Sequence, residues 1–162
     1  MPLIFRDVEA LADELRDRLA ARAIIGIDGW TGVGKTTLGR KLAADLGASL
    51  YDLDEALIKD QQHYFSALRL ADVREAFERP RRLLFVSGIC VRRVLAELGT
   101  TASAHIYLKR MASWGWADED ELSGRVPEFS GASGEQVRKE LQLYHESWQP
   151  HATADYEFHR LS

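Results

Sequence analysis

Apolar residues recur at Val8, Leu11, Leu15 and Leu19, spacings of three and four that place them on one face of a helix. An amphipathic helix is therefore expected from roughly Arg6 to Ala21. The period changes at Ala23, where a β-branched run ending at Asp28 has the continuous apolar character of a strand buried on both faces. After a glycine-rich break, Leu38, Leu42 and Leu46 restore the helical spacing, and Gly47 suits a helix C-terminus. Ala48–Leu53 ("ASLYDL") predicts a second strand, "RRLLFVS" after Pro80 a third, Ser103–Leu108 a fourth, and "ADYEFHR" a fifth, terminal one.

Helical patterns fill the gaps. One is expected from Glu55 to about Glu78, broken somewhere after Leu70, and one from Ile89 to Leu98, stopped by Gly99. A short one is expected at "DEDEL". The last carries Val137, Leu141, Tyr144 and Trp148 on one face and is closed by Pro150. Ser133 and Gln136 have capping-box spacing at its start. Ser123–Gly134 is the single loop-like stretch, and it is expected to be flexible and lid-like. Strands alternating with helices predict a three-layer α/β/α fold with a five-stranded, mainly parallel sheet covered on both faces. With no internal repeat and no linker, one domain is expected over residues 1–162.

Composition narrows the setting. At 162 residues, 46% hydrophobic and 28% charged, the chain can bury a sizeable core as a soluble domain. No stretch reaches the roughly 18 apolar residues of a membrane span. The first residues, "MPLIFRDVEALADEL", mix acids into the apolar pattern and do not read as a signal peptide. The single cysteine, Cys90, excludes an intrachain disulfide and fits a reducing cytoplasm. A net charge of −4 argues against nucleic acid as the main partner. No nucleic acid and no membrane are expected as partners, the expected setting is cytoplasmic, and a homodimer is a possible assembly.

The chemistry sits in the break after Asp28. Gly29, Gly34, Lys35 and Thr36 match G-x-x-x-x-G-K-[ST], with a predicted strand before and a predicted helix after. Gly32 and Gly34 let the backbone curl so that successive N–H groups point inward, an anion nest at a helix N-terminus. Lys35 adds a point charge for the outer phosphates, and Thr36 a hydroxyl for Mg²⁺. The loop Gly29, Trp30, Thr31, Gly32, Val33, Gly34, Lys35, Thr36 and Thr37 is thus expected to cradle ATP, with Trp30 packed either under the loop or against the ligand.

With these residues in place, "IIGIDGWTGVGKTTL" resembles the opening of the uridine kinase-like P-loop kinases, whose first strand runs into a "GIDG" turn. The resemblance extends to "YDLDEALI", "LLFVSGI" and "YHESWQPHATADYEF" and so covers nearly the whole chain; the first motif is the specific one. It implies a kinase in which Asp54 activates the acceptor hydroxyl, Asp52 with Thr36 holds Mg²⁺, and Arg110 stabilises the transferring group. This chain departs from that family at Ser87, which stands where a carboxylate usually precedes Gly-Ile, and it is short for the family. "YDLDEAL" also resembles the Asp-x-Asp stretch of the shikimate kinase-like enzymes, whose arginine and glycine motifs for shikimate are not evident here.

Further candidates surround this set. Asp52 and Asp54 end the second strand two residues apart and face one side if extended; Asp54 as a helix cap is the structural alternative. Lys109 and Arg110 follow the fourth strand, Arg125 lies in the lid-like stretch, and His63 and Tyr64 could line an acceptor pocket. Arg74, Arg79, Arg81 and Arg82 form a basic cluster that reads as a solvated face, with contact to an anionic acceptor as the alternative. Trp114 and Trp116 read as packing residues. The expected function is ATP- and Mg²⁺-dependent transfer of the γ-phosphoryl group to a hydroxyl of a nucleoside or similar polyol, with Lys35, Asp54 and Arg110 as candidate catalytic residues. The alternative is a non-catalytic or slow nucleotide-binding regulatory module.

Overall fold

A computed structural model describes residues 1–20, 22–58, 63–125 and 135–161. The strands are β1 (Leu3–Phe5), β2 (Ala23–Gly29), β3 (Ser49–Asp52), β4 (Leu83–Ser87), β5 (Ala104–Ala112), β6 (Gly115–Trp116) and β7 (Tyr156–Leu161). The helices are α1 (Val8–Arg18), α2 (Lys35–Leu46), α3 (Leu70–Glu78), α4 (Val91–Glu97), α5 (Glu119–Leu122) and α6 (Glu135–Trp148). They form one sheet in the order β1-β7-β5-β2-β4-β3, parallel throughout, with β6 added antiparallel to β5.

The sheet therefore has seven strands and not the expected five. The two extra strands are three and two residues long, too short to carry a periodicity. β1 exists because β7 offers it an edge, pairing Leu3 with Tyr156 and Phe5 with Phe158. β6 exists because β5 runs four residues past Leu108 and turns back at Gly115, whose φ is 138°.

The second correction concerns Glu55–Glu78. Among the described residues helix begins only at Leu70; before it lie two single 3₁₀ turns, Leu53–Ala56 and Phe65–Ala67. The first is capped at its start, where the Asp52 carboxylate accepts the Asp54 N–H and the Glu55 carboxylate accepts the Asp52 N–H. Leu57 then leaves in extended conformation and bridges Leu68 antiparallel.

β2 is buried along its whole length, between β4 and β5. Its two faces carry different helices: Gly39 of α2 sits against Ile27, and Val91 of α4 against Gly26. Since adjacent strand residues face opposite ways, α2 and α4 cover opposite faces, which gives the three layers. α1 packs on α2 through a stripe containing Leu11 and Leu15 and is capped by Asp7, whose side chain accepts the Ala10 N–H. From β2 the chain moves out to β3 and β4 on one side, then to β5 and β7 on the other. This is the switch point beside which open α/β sheets bind ligands at strand carboxyl ends.

Candidate functional site

The register brings the site together. Asp52 pairs level with Ser87, Ser87 with Ile27, and Gly29 with Leu108, so the carboxyl ends of β3, β4, β2 and β5 rise to one rim. The glycine-rich loop caps that rim. Gly32 and Gly34 have φ of 72° and 104°, left-handed values that favour glycine. A cavity of about 350 Å³ opens there, lined by residues 31–37 with Asp52, Asp54, Ser87 and Gly88. Its polar lining comes from the candidates that sequence singled out.

Within it, Lys35 is buried and its ammonium donates to the carbonyls of Trp30 at 2.7 Å and Gly29 at 3.2 Å. Burial pulls Lys35 down to about 8, opposed by the carboxylates of Asp28, Asp54, Asp52 and Asp118. The Thr36 hydroxyl donates to Asp52 Oδ2 at 2.8 Å. Asp54 Oδ1 accepts the Tyr64 hydroxyl at 2.6 Å. Ser87 Oγ is buried and has no partner.

Residues 31–82 match the shikimate kinase family model, about a third of the chain. No curated protein matches the chain in sequence. In fold the chain is similar to a possible uridine kinase from Bacillus stearothermophilus, at 14% identity and a TM-score of 0.58 over 93% of this chain and 96% of that one. It is similar also to a "putative fructose transport system kinase" from Silicibacter sp. TM1040, at 14% identity and a TM-score of 0.56 over 94% and 99%. The fold is that of the P-loop kinases. The likeness to the possible uridine kinase is one of fold, over 93% of the chain, and the match to shikimate kinases begins inside the P-loop and includes the Asp52–Asp54 stretch.

Not every candidate reaches the P-loop cavity. Trp30 packs under the loop: its indole is buried and donates to Glu121 Oε2 of α5 at 2.7 Å, so only its carbonyl faces Lys35. Arg110 does not line the cavity; its guanidinium is held at 2.6 Å by Asp118, which is 1% exposed. Lys109 turns to the other face of β5, ion-paired with Glu157 at 2.9 Å and lying over the Trp116 ring. Arg125 is exposed and bonded to Asp120. Ser133 and residues 126–134 of the lid-like stretch lie outside the described residues.

One alternative is excluded and one expectation is corrected. Arg79, Arg81 and Arg82 precede β4 at its amino end, while Ser87 at the other end lines the cavity. Five strand residues separate the two, on the order of 15 Å, so these arginines cannot meet an acceptor in the cavity. Trp116 packs against Tyr107 and His151, but Trp114 at the hairpin tip is 68% exposed and packs little.

Sequence reasoning also missed partners. Arg160 of β7, level with Arg110, donates to the carbonyl of Val33 in the P-loop at 2.7 Å. Asp28 lies fully buried under the loop, where the Tyr144 hydroxyl of α6 reaches both its oxygens at 3.0 and 3.1 Å and the Val91 N–H reaches one at 3.3 Å. Burial raises Asp28 to about 6, against the Tyr144 bond and the nearby charge of Arg92. The signal was an aspartate inside an otherwise apolar strand; its partner 116 residues away carried none.

Proposed function

We propose that the protein is an ATP- and Mg²⁺-dependent phosphotransferase that moves the γ-phosphoryl group to a hydroxyl of a small molecule, a nucleoside or similar polyol. The P-loop kinase fold and the shikimate kinase family match both support phosphoryl transfer from a nucleotide. The observation that carries the reading is the meeting, in one cavity, of a P-loop lysine, a Thr36–Asp52 pair and a second carboxylate, Asp54.

The residues present fit both groups. Thr36 and Asp52 are hard oxygen donors of the kind Mg²⁺ prefers, and the unpartnered Ser87 hydroxyl is a buried polar atom in the same wall. When bound, Mg²⁺ neutralises charge on the phosphates and orients them. Lys35 exchanges its two carbonyl contacts for phosphate oxygens, alongside the loop N–H groups. Asp54 orients the acceptor hydroxyl and takes its proton. Arg110, if released from Asp118, can face the transferring group. Gly34 and Thr37 also line a second cavity of about 570 Å³ with Lys41, Phe158 and Arg160, which supports placing the base of the nucleotide there. Nucleotide supply and the reduced Cys90 support a cytoplasmic setting.

A second reading, a slow nucleotide-binding regulatory module, is favoured by one observation: Ser87 leaves Asp52 as the lone carboxylate on the metal side of the cavity lining. ADP release from MgATP, with and without a panel of nucleosides and polyols, beside Asp54→Asn, separates the two. Stimulation by one compound, lost in the variant, supports the kinase. Tight ATP binding with no turnover supports the module.

A further inference from the structure

Tyr64 and Glu140 form a chain of contacts that nothing in the phosphate site requires. The Tyr64 hydroxyl, on a side chain only 5% exposed, donates to Asp54 Oδ1 at 2.6 Å. Burial beside Asp54 pushes the phenol far up, so it stays a donor across any working pH. One oxygen of the carboxylate is thereby fixed in direction, on a 3₁₀ turn whose Leu53 and Ala56 are buried in the core while Asp54 itself is exposed at the cavity wall.

Tyr64 is itself held from a distance. It begins the Phe65–Ala67 turn without a side-chain cap from that segment. The cap comes from α6: Glu140 Oε2 accepts the Tyr64 N–H at 2.7 Å and Oε1 the Phe65 N–H at 2.8 Å. Arg93 of α4 closes the group, its guanidinium 3.8 Å above the Phe65 ring and 4.0 Å from Glu140. A carboxylate gripping two adjacent amides, with a cation beside it, fixes a turn's position and orientation together.

We infer that Tyr64 and Glu140 are positioning residues: Glu140 fixes the 64–65 backbone so that the Tyr64 hydroxyl aims the Asp54 carboxylate at the acceptor. This rests on the proposed role of Asp54. Nucleotide binding lies outside the chain, since neither Tyr64 nor Glu140 lines the P-loop cavity.

The test compares wild type with Tyr64→Phe, Glu140→Gln, Asp54→Asn and the double variant Tyr64→Phe/Asp54→Asn. Three quantities are read: ATP affinity by titration, kcat and acceptor KM for ADP release (basal release if no acceptor stimulates), and exchange protection of the 64 and 65 amides. Tyr64→Phe and Glu140→Gln are each expected to lower kcat on the order of tenfold while ATP affinity moves less than about twofold. Among the variants Glu140→Gln alone strips protection from one of the two amides, because the carboxamide keeps a single accepting oxygen and its NH2 group cannot accept. On the Asp54→Asn background Tyr64→Phe adds no further loss. If Tyr64→Phe keeps wild-type kcat while Asp54→Asn loses it, the positioning role is overturned and the kinase reading stands. If Asp54→Asn turns over normally, or wild type releases no ADP, the kinase reading fails and this inference fails with it. A fall in thermal stability with unchanged kcat assigns both residues to the fold alone.

Discussion

The two halves of the cavity are built differently. On the phosphate side, bonds close over short stretches of chain: Lys35 to Gly29 and Trp30, six and five residues back, and Thr36 to Asp52, sixteen residues on. On the Asp54 side and beneath the loop, the bonds come from α6: Glu140 to Tyr64, Tyr144 to Asp28, and the Gln142 carboxamide to the Glu121 carbonyl. His145 joins them, its Nδ1–H donating to Leu141 and its Nε2 accepting the Tyr107 hydroxyl, with burial pulling it down to about 4. A phosphate nest can be local because backbone N–H groups supply it. The Asp54 side depends on side chains, and here one helix, α6, supplies their long-range partners.

The sharpest way to break this contrast is Lys35→Ala. ATP affinity is expected to fall on the order of a thousandfold, read by titration, while α6 and its contacts persist by circular dichroism and amide exchange. Retained affinity would remove the phosphate role from the loop.

Asp28→Asn probes the junction between the halves. Asp28 is raised in the folded state to about 6 from its ordinary 3.8. Its contribution to stability is therefore full below about 4 and is lost as pH rises through 6. The variant should gain on the wild type by about 2 kcal/mol between pH 4 and pH 7, read by denaturant unfolding. His145 acts oppositely, since it is held below its ordinary value, and loses its contribution as pH falls toward 4. It is common to both proteins and cancels in the difference. A constant offset across pH would show that Asp28 does not titrate in this window.

Asp52→Asn tests the metal side alone. The gain in ATP affinity on adding Mg²⁺ should shrink by about tenfold, with affinity in a chelator unchanged. A loss that is equal with and without Mg²⁺ would mean that Asp52 only shapes the turn it caps.

Trp30→Phe removes the indole bond that ties the phosphate loop to α5, leaving Glu121 one partner short. A loss of about 1 kcal/mol in unfolding free energy is expected. Ser87→Ala is the smallest: replacing a buried, unpartnered hydroxyl should be neutral or stabilising by under about 1 kcal/mol, with a weaker response to Mg²⁺ if that hydroxyl serves the site. An equal loss of stability in both variants would deny that Ser87 Oγ lacks a partner.

What the sequence determined follows chain locality. The P-loop was legible in full, because its signal is eight consecutive residues whose types fix backbone shape and charge together. The strands β2 to β5, β7 and the last helix were legible for a similar reason, since burial imposes a period that repeats within one element. β1 and β6 were not, because strands of three and two residues exist only through the neighbours they pair with. Where helix was expected from Glu55, a capped single 3₁₀ turn is followed by Leu57 in extended conformation, because Leu57 pairs with the distant Leu68. Tertiary structure alone decided that the Arg79–Arg82 run lies at the far end of the sheet, that Trp30 turns inward to Glu121, and that Arg110 is paired with Asp118. It decided also that Glu140, Tyr144 and His145 each meet a partner at least 38 residues away. A hydrogen bond between distant residues leaves no period and no spacing in the chain; only the packing of α6 against the sheet brings its two ends together.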